Sequence, residues 1–137
     1  MMRASNQIVL AFLLGGFFSV PAQAAEGSIR IISPANGATV DSSAERVNVF
    51  YYATFDPKGD HVHLSVDGKD KETLRELEIS HVTDLYQKGH WVPVMREING
   101  KTAIDPLSPG KHEICAKVVD KAHAPLGIET CIHVVSK

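Results

Sequence analysis

The chain has 137 residues, with 14 Lys and Arg against 16 Asp and Glu, 7 His and 2 Cys. A formal charge of −2 gives no basic field for a phosphate backbone, so nucleic acid is not an expected partner. A hydrophobic content of 44% is also out of keeping with a disordered chain, which is poor in apolar residues and strongly charged.

Residues 1–24 read as an export leader. Met1-Met2-Arg3 supplies a positive start, Ile8 to Val20 is an apolar run of 13 residues, and Ala22-Gln23-Ala24 follows Pro21 as an A-x-A cleavage signal. A membrane helix needs about 20 apolar residues, so the run is too short to span a bilayer, and nothing later in the chain is apolar enough. Cleavage after Ala24 leaves residues 25–137 as one domain, a size that supports a single core. The expected location is periplasmic or secreted. In such an oxidising compartment Cys115 and Cys131 are most simply a disulfide.

Beyond the leader, short β-type runs recur between Gly, Pro, Asn and Asp punctuation, which points to an all-β sandwich. Ser28 to Ile32 is the first run, ended by Ser33-Pro34-Ala35-Asn36-Gly37. Arg46 to Thr54 is the second, with Val47, Val49 and Tyr51 on one face and Asn48, Phe50 and Tyr52 on the other. After the turn Asp56 to Asp60 comes the cleanest alternation: Val62, Leu64 and Val66 inward, His61, His63 and Ser65 outward, closed by Asp67-Gly68. Lys69 to Glu97 does not resolve. Leu74, Leu77, Val82 and Leu85 fall near helical spacing, while Leu77 and Ile79 alternate with polar residues, so the segment is expected to be an irregular insertion with a helical turn. Leu107-Ser108-Pro109-Gly110 is a turn into Lys111 to Val119, with His112, Ile114, Ala116 and Val118 on one face. Ile128 to Val135 is the last run, with Ile128, Thr130, Ile132 and Val134 facing the core. If Val119 lies opposite Ile128 across the intervening loop, Cys115 falls within one position of Cys131, both outward. That juxtaposition suits a cross-strand bridge. There is no C-x-x-C and no flanking helix to lower a thiol pKa, so the pair reads as a staple.

Four motifs, taken together, carry a resemblance: Ser33-Pro34-Ala35-Asn36-Gly37-Ala38-Thr39-Val40, His61 to Gly68 (H-V-H-L-S-V-D-G), Leu107 to His112 (L-S-P-G-K-H) and Asp120 to Gly127 (D-K-A-H-A-P-L-G). The series resembles a group of small exported bacterial proteins of unknown function, over most of the chain outside Lys69 to Glu97. The resemblance implies an immunoglobulin-like antiparallel β-sandwich. The opening motif is also similar to the start of periplasmic copper-resistance sandwiches of the CopC type. Those rely on a histidine at the mature N-terminus, where this chain has Ala25. The buried Cys–Trp–Cys arrangement of antibody domains is not expected, because Trp91 lies in the insertion and both cysteines are late.

In such a sandwich the His61 strand runs antiparallel to the Lys111 strand. His61 and His63 then share one end of the sheet with the loop carrying His123, with Asp60, Asp120 and Lys121 as neighbours. Three imidazoles beside a carboxylate suit Cu(II) or Zn(II). The same histidines also read as solvated polar residues, with His123 tying down its own loop. His112 is expected to be half-buried and hydrogen-bonded, His133 solvated, and His90-Trp91 part of a contact surface. No G-x-S-x-G, H-E-x-x-H, phosphate-cradling or dinucleotide motif occurs, so the chain is not expected to be an enzyme. Two roles remain. One is a non-catalytic exported module that contacts another periplasmic protein through open sheet edges or end loops. The other is a periplasmic copper or zinc binder using His61, His63 and His123.

Overall fold

The computed structural model describes residues 25–70 and 75–137; the segment 1–24, expected to be an export leader, lies outside the described residues. Among the described residues nine strands follow one another: β1 (Gly27–Ser33), β2 (Thr39–Val40), β3 (Val47–Phe55), β4 (His61–Val66), β5 (Lys69–Asp70), β6 (Arg75–Gln87), β7 (His90–Ile104), β8 (Gly110–Val119) and β9 (Pro125–Ser136). They form a sheet of order β1-β3-β7-β6 packed against a sheet of order β2-β9-β8-β4-β5. This is an all-β sandwich with the strand order of immunoglobulin-like domains, in which the first, second, fourth and fifth principal strands make one layer and the third, sixth and seventh the other. The pairing departs from purely antiparallel at one place. The Ser33-Pro34-Ala35-Asn36-Gly37 segment breaks the first strand, and the chain crosses to the opposite layer, where β2 joins β9 in parallel. Gly37 N donates to His133 O and Val135 N to Ala38 O, tying the crossing strand down.

Period-two alternation builds the core. Val47, Val49, Tyr51, Ala53 and Phe55 of β3 meet Val62, Leu64 and Val66 of β4, Ile114, Ala116 and Val118 of β8, and Ile128, Ile132 and Val134 of β9. Successive side chains of a strand point to opposite faces, so each inward set leaves an outward polar set, and His61 and His63 belong to the latter.

The described residues 69–70 and 75–97 differ from the expected irregular insertion. They form β5, β6 and the first part of β7, and β6 and β7 pair from Arg75↔Ala103 to Gln87↔His90. The turn is Lys88-Gly89, both at positive φ (48° and 87°), the conformation of a tight two-residue hairpin. One register shift, between Thr83 and Asp84, leaves Val94 unpaired. Strand β3 supports β7 only from Arg96 onward. Beyond that point the hairpin is a two-stranded arm, with no core face to impose alternation on Val82 and Leu85. Val82, Leu85, Tyr86 and Trp91 are exposed on it, the last two at 61% and 68%.

Cys115 and Cys131 are bridged and directly opposite, with their Cα atoms 4.0 Å apart. Both sit on the outer face; Cys131 is exposed and Cys115 buried. Val119 pairs with Pro125 rather than Ile128, beyond a register shift between Lys117 and Val119. From Gly110 to Lys117 the register differs from the expected one by a single position, so Cys115 faces Cys131 directly.

Candidate metal centre

Strand β4 begins where β8 ends, with His61 opposite Val119 and His63 opposite Lys117. The chain leaving Val119 turns at once through residues 120–124 into β9. Asp120 organises that turn from both its backbone and its side chain. Its Oδ1 accepts hydrogen bonds from Ala122 N at 2.8 Å and Ala124 N at 2.9 Å. Its carbonyl accepts from His123 N, and its own N–H donates to Ala124 O, each at 3.0 Å. An aspartate closing its own turn in this way is a common loop device. The outcome is that His123 sits in the left-handed region, at φ 64°, a conformation uncommon for residues other than glycine and held only where the surroundings over-determine it.

The held conformation aims the His123 ring at β4. His123 Nδ1 lies 3.0 Å from His63 Nε2, and His61 Nε2 lies 2.9 Å from the same atom. The ring centroids are 4.8, 4.8 and 5.0 Å apart, and one nitrogen from each ring falls within 4.8 Å of the others. His61 and His63 are partly buried and His123 is exposed, so the cluster opens to solvent on one side. A ring nitrogen has one in-plane lone pair or one proton, so His63 Nε2 cannot satisfy both neighbours by hydrogen bonding. Imidazole nitrogens about 2.0–2.1 Å from a tetrahedral cation stand only about 3.3 Å from one another. The convergence therefore matches a cation's needs better than those of three free rings.

Asp60 completes the arrangement. Its Oδ2 is 2.9 Å from His61 Nδ1, and a carboxylate on that nitrogen fixes the tautomer whose Nε2 lone pair faces the cluster. Arg96 holds Asp60 in turn: Nη1 donates to its carbonyl at 3.0 Å and stands 3.9 Å from Oδ1. Burial, then the neighbouring rings of His61 and His123, push the His63 pKa below its ordinary value. A ring kept neutral is the form that binds metal. Beside the cluster, Pro57, Gly59, Asp60, Val82, Pro93, Met95, Arg96 and Lys121 line a cleft of about 160 Å³.

All three histidines singled out from the sequence are thus brought together, along with Asp60. Arg96 escapes a reading of the sequence because it lies in the segment whose periodicity does not resolve. The remaining histidines of the sandwich are elsewhere. His112, at the far end of β4, has Nδ1 2.6 Å from Asp67 Oδ2 and Nε2 2.6 Å from the Ser108 carbonyl. It is half-buried and hydrogen-bonded, as its inward position implies. Ser108 Oγ lies 3.4 Å from the same Nε2, yet both ring nitrogens face closer acceptors, so the ring is not placed to act as base toward the hydroxyl. His133 is exposed, with Nε2 3.1 Å from Glu113. Searches of protein-family models and of curated proteins return no match to the chain.

Proposed function

We propose that the protein is a non-catalytic metal-binding sandwich of the bacterial periplasm, holding a single Cu(II) or Zn(II) ion between His61, His63 and His123. The observation that carries this reading is the approach of two separate ring nitrogens, from β4 and from the 120–124 loop, to within 3.0 Å of His63 Nε2. The donor set is chemically apt, since imidazole is a preferred ligand of both ions and the Asp60 carboxylate backs one of the rings. The open side leaves room for water or a partner's ligand. The motifs that resemble small exported bacterial sandwiches, and the expected leader at residues 1–24, support the same compartment.

Titrating chelator-treated protein with Cu(II) and Zn(II) tests the proposal. One equivalent should bind with a dissociation constant at or below the micromolar range, and a His61→Ala/His63→Ala variant should lose that binding. Unchanged affinity in the variant would remove these residues as ligands. A second role, contact with another exported protein, is favoured by a separate observation: the arm between residues 81 and 95 displays Leu85, Tyr86 and Trp91 to solvent, and aromatic residues of this kind are enriched in interfaces.

A further inference from the structure

On the outer face of β8 and β9, well along the strands from the loop that carries His123, two consecutive rungs present four side chains that can ligate metal. Glu113 lies opposite His133, and Cys115 lies opposite Cys131. Residues two apart on a strand share a face, and cross-strand partners are the closest side-chain pairs in a sheet. The two rungs therefore make a small rectangle of donors. His133 Nε2 is 3.1 Å from Glu113 Oε2, and Cys115 Sγ is 3.6 Å from Glu113 Oε1. One donor atom from each of Glu113, Cys115 and Cys131 falls within 4.8 Å of the others. A further carboxylate, Glu129 Oε1, stands 3.8 Å from Cys131 Sγ, so the patch favours a cation.

As a disulfide the sulfur pair is a poor ligand. We infer that reduction of the Cys115–Cys131 bond converts this rectangle into a second metal site, in which both cysteines, His133 and Glu113 together hold Zn(II) or another thiophilic divalent ion. The chemistry balances with a dithiol as co-reactant. The dithiol passes two electrons and two protons to the bond and becomes a disulfide, and the two cysteines become thiols. The incoming ion then displaces both thiol protons and takes two thiolates, one imidazole and one carboxylate. Thiolate with imidazole or carboxylate in a four-fold set is typical of zinc. The sandwich supplies the geometry, because the two strands remain paired on either side of the rungs from Gly110 to Lys117. The oxidised and the metal-bound forms would then be alternative staples of the same strand pair.

The test uses the chain with His61, His63 and His123 all replaced by Ala, so that the three-histidine site contributes nothing and its success or failure is measured separately. The protein is reduced with a dithiol, freed of it under anaerobic conditions, and titrated with Co(II), whose thiolate charge-transfer and tetrahedral d–d bands report the ligands. One Co(II) per chain should bind to the reduced protein, be displaced by Zn(II), and fail to bind after reoxidation. Glu113→Ala and His133→Ala should each weaken binding by about tenfold or more, since even indirect support of a metal ligand is worth that much. Circular dichroism guards against loss of fold. Absence of the bands, equal affinity in both Ala variants and their parent, or a reduced chain that loses its β signature and does not regain it with Zn(II) would each overturn the inference.

Discussion

The Asp120 carboxylate touches no candidate ligand, yet it sets where the third one points. Two backbone N–H groups, those of Ala122 and Ala124, end on its Oδ1. In an Asp120→Ala variant both lose their acceptor and the left-handed turn at His123 loses its support. Metal affinity should fall by about tenfold, the scale seen when residues behind a ligand are removed. Asp120→Asn, which keeps the acceptor oxygen, should retain most of it; calorimetric titration of the two variants makes the comparison. His63 gives a second prediction at this scale. Burial, followed by the charges of His61 and His123, holds its pKa below the ordinary 6.5, and unfolding restores the ordinary value. Below pH 6.5 the unfolded chain then binds more protons than the folded one, so stability rises with pH across this window. The stability due to a neutral His63 is complete above pH 6.5 and is lost as pH falls through the depressed folded value. Urea midpoints of metal-free protein should decline from pH 7 towards pH 5. The decline should be shallower in His63→Gln, and an identical slope there would assign the effect to other groups.

Strands β3 and β7 meet with little room to spare. Tyr51 and Gly100 are cross-strand partners, and a Cβ at position 100 would collide with the Tyr51 ring. Tyr51 is fully buried, so the ring has nowhere to retreat. Gly100→Ala should therefore destabilise by about 3 kcal/mol, the upper part of the range for overpacked cores. Adding Tyr51→Leu to the same chain should recover part of that loss; urea denaturation of both variants provides the check. This pairing also marks the limit of what sequence shows. Alternation in β3, β4, β8 and β9 is legible because each has one core face and one solvent face, so polarity follows the pleat. From these four strands come the core, the cysteine pairing and the end of the sheet where the histidines meet. The position of Gly100 under Tyr51 is not legible, since it depends on the register of a strand whose first half has no core face. Lys88-Gly89 does not announce a hairpin turn, because Lys is an unusual occupant of a positive-φ position; the glycine is the available signal. The expected β8–β9 register is off by one at the cysteines and by three at Val119, since the loop length alone does not reveal where the pairing slips.

Considered as a whole, the molecule joins two regions of different stability. The sandwich buries strands on both layers of its core, whereas the arm from residue 81 to 95 pairs only its own two strands, borders the body at the cleft beside Asp60 and carries an exposed apolar surface. An isolated two-stranded hairpin is at best marginally stable in water, and local opening costs least where few apolar contacts are buried. Arg96 stands at the junction. It is the first residue of β7 paired with β3, and its guanidinium reaches across to Asp60, which backs His61. Hydrogen exchange should therefore divide the chain into two classes in the metal-free protein. Amides of Leu85 and Val92 should open at much lower free energy than those of Val49 and Ile114, which exchange only on global unfolding. Adding Zn(II) stabilises whatever state holds the three rings together, by an amount set by the ratio of free ion to dissociation constant. Slower exchange should appear for Asp60 to Leu64 and for the loop from Asp120 to Ala124, while amides at the arm's tip remain fast. Protection that reached Leu85 and Val92 as well would mean that the arm and the histidine cluster behave as one cooperative unit, with the Arg96–Asp60 contact the connection through which an occupied site stiffens the arm.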